Sequence, residues 1–290
     1  MASSILSSGL CDHHCHLFLG CPAIEPDALD ELDDPDDLEL AEAAQVCAWW
    51  QQDRVQQQLK AFADSAVSTF VLQTVSLADF KLHLRVWPWL QQGPLAQRLQ
   101  LYAGLHPFYV HAPAELQPWL ETVSQIWQQQ STLKSSLHSP RLFGIGEVGL
   151  DKRHGMELKL QIALLDSLLE ATAAWHLPYS FHCVGAHSEL LALLKHYPQV
   201  TGTVHGFTGS LDLAKQYIKR GLHLGLGRAL LAPQNQRKYQ QLLQSFPQET
   251  WHLESDFDGS HGVYDPTLLP QLTQHLTNLS ASAKQANLRV

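Results

Sequence analysis

The chain has 290 residues, 45% of them hydrophobic, enough for a large core and for one α/β barrel of about 250 residues. Its formal net charge of −9 excludes a protein that holds polyanions by bulk positive charge. The excess is local: ten carboxylates and no base lie between Glu25 and Glu42, and the remainder carries 18 acids against 19 bases. Five irregularly spaced cysteines with no Cys-x-x-Cys pair predict free thiols. Met1–Leu10 has no basic n-region, and no stretch approaches the roughly 20 apolar residues of a membrane span. A soluble chain in a reducing cytoplasm is the expectation.

In chain order, the first predicted strand, Gly9–Asp12, runs into Asp12-His13-His14-Cys15-His16. Residues i and i+2 of an extended segment share a face, so His14 and His16 project together, as two imidazoles on one ion would. A pair of surface histidines is the competing reading. The acidic stretch Cys21–Glu42 follows. After a first barrel strand it would be a long βα loop at the catalytic rim, either a solvated, partly disordered loop or a lid or specificity element. Gln51–Lys60 and Gln125–Gln130 read as solvent-facing helix, and strands are predicted at Val67–Thr74 and Leu101–Leu105. The fourth strand, Leu142–Glu147, lies in Gly144-Ile145-Gly146-Glu147-Val148-Gly149-Leu150-Asp151. Glycine there permits close backbone approach. A buried, unpaired Glu147 would cost several kcal/mol, which a metal ion or a salt bridge would remove.

Leu158, Ile162, Leu165, Leu168 and Leu169 recur at helical spacing within Glu157–His176. The fifth and sixth strands, Tyr179–His182 and Thr203–His205, each close on a histidine that is either a ligand or a satisfied core residue. Ser188–His196 and Leu211–Arg220 read as helices. Leu222–Leu226 and His252–Ser255 complete eight strands, the last leading into Asp256, a residue type that also caps turns. The polar tail after about Ser280 is expected to fray.

Strand–helix alternation predicts a parallel sheet, and eight strands predict closure into a (β/α)₈ TIM barrel, one domain over 1–290 with an acidic insertion at about 21–42. Four histidines and two carboxylates, His14, His16, Glu147, His182, His205 and Asp256, fall at five strand ends, where barrel enzymes gather their active residues. Mixed imidazole and carboxylate donors suit zinc, manganese, iron or nickel better than calcium. Six ligands exceed the three or four that one catalytic zinc takes. A carboxylate bridging two ions about 3.5–4 Å apart would account for the surplus.

From about Leu10 to Asp256 the sequence resembles the TatD family of metal-dependent deoxyribonucleases, in the amidohydrolase-like barrel group. The matching runs are Asp12-His13-His14-Cys15-His16-Leu17, Gly104-Leu105-His106-Pro107, Gly146-Glu147-Val148-Gly149-Leu150-Asp151, His205-Gly206-Phe207-Thr208-Gly209 and Glu254-Ser255-Asp256. The resemblance implies one divalent ion (Mg²⁺, Mn²⁺ or Zn²⁺) on His14, His16, Glu147 and Asp256, and a second on Glu147, His182 and His205. It implies that Asp256 helps activate water, that His106 lies near the scissile group, and that the reaction is phosphodiester hydrolysis at DNA ends. The sequence departs from the family pattern at three places. Phe18 stands where the family has Asp, Cys183-Val184 where it has Ser-Arg, and Phe257 follows Asp256 where a proline is frequent. The lost arginine keeps in view hydrolysis of another bond, such as an aminoacyl-tRNA ester; a separate alternative is a non-catalytic metal-binding partner protein docking through the acidic loop.

Overall fold

The computed structural model describes residues 9–19, 21, 35–132, 140–246, 250–259 and 262–287. Eight strands form one sheet in sequence order: β1 (Cys11–Cys15), β2 (Thr69–Gln73), β3 (Leu99–Leu105), β4 (Leu142–Asp151), β5 (Tyr179–Val184), β6 (Gly202–Val204), β7 (Leu222–Leu226) and β8 (Trp251–Leu253). Every neighbouring pair from β1–β2 to β7–β8 is parallel. The ring closes through the segment after β8. Asp256 N–H donates to His14 O at 2.9 Å, and His16 N–H donates to Phe257 O at 2.7 Å. Buried Asp12 reinforces the seam, accepting from Ser255 N–H at 2.9 Å and the Tyr264 hydroxyl at 3.0 Å. The eight predicted strands and the TIM barrel are therefore present, with β1 displaced towards its C-terminus and β4 running on to Asp151.

Nine helices are present among the described residues: α1 (Pro35–Trp50), α2 (Asp53–Asp64), α3 (Leu77–Leu90), α4 (Leu116–Thr132), α5 (Leu158–Thr172), α6 (His187–Leu194), α7 (Leu211–Lys219), α8 (Gln236–Ser245) and α9 (Leu268–Asn287). Local sequence starts two of them: Ser76 accepts from Asp79 N–H before α3, and Ser210 from Leu213 N–H before α7, each at 3.2 Å. Two expectations need correction. The acidic stretch is not loop throughout: Pro35-Asp36-Asp37 opens α1, where a fixed proline φ and acidic residues favour a helix start. Residues 22–34 of that stretch lie outside the described residues. The tail continues as helix to Asn287, in keeping with the good helix formers Ala281, Ala283, Lys284 and Ala286. The glutamine-rich segments lie in α2 and α4, but Gln58 is buried and Gln130 bonds both backbone groups of Leu142.

One buried cluster joins strand residues such as Phe70, Leu72, Phe181 and Leu224 to helical residues such as Phe62, Val86, Leu168 and Leu272. The inward face is more polar. His252 of β8 stacks on His13 of β1, with ring centroids 3.8 Å apart, and on His223 of β7, at 4.3 Å. Its Nδ1 meets Thr203 Oγ1 of β6 at 2.7 Å. Burial and the flanking imidazoles push His252 down to about 2, and burial with His223 pushes His13 to about 4. The β1–β2 register slips between Asp12 and Cys15. This bulge lets consecutive His13 and His14 both meet interior partners, whereas neighbours in a regular strand face opposite ways.

Candidate metal centre

Barrel strands deliver their last residues to one rim. Here that rim gathers His14 and His16 from the end of β1, Glu147 from β4, His182 from β5, His205 just past β6 and Asp256 just past β8. Glu147 lies at the centre. Its Oε2 is 3.3 Å from both His14 Nε2 and His16 Nε2. Its Oε1 is 2.7 Å from His205 Nε2, 2.8 Å from His182 Nδ1 and 3.2 Å from His106 Nε2. The two oxygens thus face two separate groups of imidazoles. Asp256 sits higher, half exposed, in the left-handed region at φ +49°, an unusual but accessible conformation for aspartate. Its Oδ1 is 3.7 Å from His14 Nε2 and 3.9 Å from His205 Nδ1.

Hydrogen bonds fix which ring atoms carry protons. Asp151 Oδ2 faces His182 Nε2 at 3.1 Å. Burial pushes the Asp151 carboxyl up, but the Arg153 N–H and His182 outweigh it and hold it below the ordinary range. The carboxylate can only accept, so Nε2 of His182 holds the proton. Nδ1 of a neutral His182 then points a lone pair at Glu147 Oε1 and at His205 Nε2, 3.2 Å away. The lone pair facing the Glu147 carboxylate is repulsive unless the ring takes a second proton or a cation lies between. The ion-pair partners of Glu147 among the described residues are all imidazoles. Burial pushes the Glu147 carboxyl up, but His106, His205 and His14 together hold it well below the usual carboxylate range.

Two more donors are unspent: His14 Nε2 and His205 Nδ1 are buried with no hydrogen-bond partner. The donor set thus fits divalent cations. Ligand atoms converge in three groups: His14 with His16 and Glu147; His14 with His205 and Asp256; and His106 with Glu147 and His182. His106 differs chemically. Its Nδ1 accepts from Phe108 N–H at 3.1 Å, so a neutral ring carries its proton on Nε2. That nitrogen is a hydrogen-bond donor rather than a ligand.

All seven residues singled out in the sequence thus meet at one rim. Sequence reasoning missed the supports. Asp151 orients His182, and Ser180 Oγ meets His14 Nδ1 at 2.9 Å; such outer partners set ring tautomer and ligand basicity. The signal for Asp151 was its place in the glycine-rich run, four residues after Glu147. Glu254 lies below His205, where Gly206 N–H donates to it and burial pushes it up to about 8. Gly225 makes the room, since a Cβ there would lie 1.9 Å from the carboxylate. The two cysteines next to the site, Cys15 and Cys183, are poor nucleophiles. Burial raises Cys15 well above its ordinary value, with Sγ 3.7 Å from Val71 O, and raises Cys183 to about 11.

A family model described as TatD related DNase matches residues 11–286. The chain belongs to that family. Among curated TatD relatives, the Escherichia coli protein described as an uncharacterized metal-dependent hydrolase, YjjV, is 30% identical over 167 residues, 56% of this chain and 60% of its own length. A Pantoea protein named 3'-5' ssDNA/RNA exonuclease TatD is 29% identical over 166 residues, 56% of this chain and 63% of its length. The chain thus aligns with about 60% of the length of these relatives. In solved structures the fold is that of E. coli YjjV, with TM-score 0.63 and 22% identity over 97% of this chain and 95% of that one. An Entamoeba histolytica TatD-family hydrolase gives TM-score 0.64 and 16% identity over 95% and 96%. One departure from the TatD pattern has a packing role. Phe18 is buried against Trp49 and His83, each ring 5.0 Å away, which anchors α1. Among the described residues, no helix is long and apolar enough to cross a membrane.

Proposed function

We propose that this TatD-family chain is a metal-dependent phosphodiesterase acting on the ends of DNA. The observation that carries the reading is the Glu147 carboxylate, with His14 and His16 on one oxygen and His182 and His205 on the other. Here His14, His16, Glu147 and Asp256 would hold one divalent ion, Mg²⁺, Mn²⁺ or Zn²⁺, and Glu147, His182 and His205 would hold a second. Bound there, such ions supply Lewis acidity and a source of hydroxide at neutral pH. The family membership and the exonuclease name of the Pantoea relative support the substrate class.

The chain's own groups do the rest. Asp256, half exposed above the histidines, is placed to accept a proton from the attacking water. His106 offers its Nε2–H to the departing oxygen. Asp151 and Ser180 hold His182 and His14 in position. All five cysteines are free thiols, which supports a reducing, cytoplasmic setting.

The test is hydrolysis of a single-stranded oligonucleotide by wild type and by His14→Ala, Glu147→Ala and His205→Ala. Each variant is expected to abolish turnover with little change in circular dichroism, because the core does not rest on these rim residues. Near wild-type turnover in Glu147→Ala would contradict the shared site. Turnover of charged tRNA but not DNA would redirect the substrate assignment.

A further inference from the structure

The cleft above Glu147, about 360 Å³ in volume, carries on one wall a feature that hydrolysis itself does not require. Among the described residues the exposed large hydrophobic side chains are Phe108, Tyr109, Leu160 and Val263. Phe108, 46% exposed, and Tyr109, 36% exposed, are consecutive and both line this cleft. Their rings meet edge to face at 5.1 Å, and Phe108 meets the His154 ring in the same way at 5.4 Å. Three rings thus stand side by side at the mouth. Their distance from the chemistry is fixed, because Phe108 N–H is the donor to His106 Nδ1. Rings left in water contribute little burial energy to folding, and their clustering at the cleft mouth points to a ligand with a flat apolar face.

A cation stands beside them. Arg153 lines the same cleft, and its guanidinium has no hydrogen bond or ion pair among the described residues. It emerges two residues after Asp151, which is in register with Val184, and Lys152 N–H donates to Val184 O at 2.9 Å. Val184 is the position at which the family pattern has arginine. Arg153 therefore brings positive charge from β4 to the edge where β5 has lost it.

We propose that Phe108, flanked by Tyr109 and His154, is a stacking platform for a base next to the scissile phosphate, and that Arg153 meets a neighbouring phosphate. The occupant is a single-stranded nucleic-acid end, because a base must leave its duplex stack to lie on a protein ring. This rests on the phosphodiesterase reading and adds to it the residues that hold a base beside the scissile phosphate.

The experiment compares kcat/KM for an intact single-stranded oligonucleotide with that for the same oligonucleotide carrying abasic residues at both termini. Methyl p-nitrophenyl phosphate serves as a base-free diester. Wild type should favour the intact strand by about tenfold, the size of one stacking contact. Phe108→Ala should bring that preference close to one, and Phe108→Trp should keep it. Arg153→Gln should keep the preference but flatten the salt dependence of kcat/KM on both strands. Equal kcat/KM for the two strands in wild type, or an undiminished preference in Phe108→Ala, overturns the platform while leaving the phosphodiesterase reading in place. No turnover of either strand or of the small diester overturns both.

Discussion

His182 shows how much of this site depends on residues that bind nothing themselves. Its Nε2 proton is held by Asp151 at 3.1 Å, which turns the Nδ1 lone pair towards Glu147. A carboxylate behind a ligating imidazole raises ligand basicity and fixes the ring, and its loss typically costs about 10–100-fold in metal affinity or activity. Asp151→Asn should therefore shift the Mn²⁺ concentration for half-maximal activity upward by about that factor, with most turnover recovered at saturating metal. A metal titration of activity checks this. An unchanged midpoint would mean that Asp151 is merely a turn residue, bonded to the Arg153 and His154 amides.

At the scale of elements, β1, β7 and β8 bring the three stacked imidazoles of His13, His252 and His223 together inside the barrel. The groups facing His252 are His13, His223 and the Thr203 hydroxyl. Its folded value lies far below the unfolded one, so protonation favours the unfolded chain. Stability from its neutral state is complete above about pH 6.5 and declines as pH falls below that, by up to about 1.4 kcal/mol per pH unit for one proton. Replacing it with glutamine, His252→Gln, should give a shallower decline of Tm between pH 6.5 and 4 than wild type shows, read by thermal melts across that range. Parallel declines would remove this histidine from the acid limb.

This stack also marks what could be read from the chain. Glu147, His182 and His205 were legible because each closes a short apolar run, and His14 and His16 because their i, i+2 spacing survives the irregularity of β1. His223 and His252 were not, since a histidine inside a short strand looks the same whether it faces core or water. Asp151 was quoted within its motif but unassigned, because only the β4–β5 register shows that it reaches His182. The bulge in β1 is likewise invisible without the partner strand. The start of α1 at Pro35 was readable from proline and acidic residues, but the density of charge pointed to loop instead.

For the whole molecule, charge is distributed unevenly. The ten carboxylates between Glu25 and Glu42 lie between β1, which carries His14, and the end of the acidic part of α1. Like charge repels a polyanion over about 10 Å at 0.1 M salt. If this segment overhangs the cleft, changing Asp33, Asp34, Asp36 and Asp37 to Asn should raise kcat/KM on long DNA, mainly through KM and most at low salt. Equal values for wild type and variant at two salt concentrations would exclude an electrostatic gate.

The most direct test of the central claim is turnover of a single-stranded oligonucleotide before chelation, after exhaustive chelation and after return of Mn²⁺, with metal content measured at each stage. The arrangement of His14, His16, His182, His205 and Asp256 around Glu147 predicts loss of activity with loss of metal, and recovery as two equivalents return. Full activity in chelated, metal-free protein would contradict it.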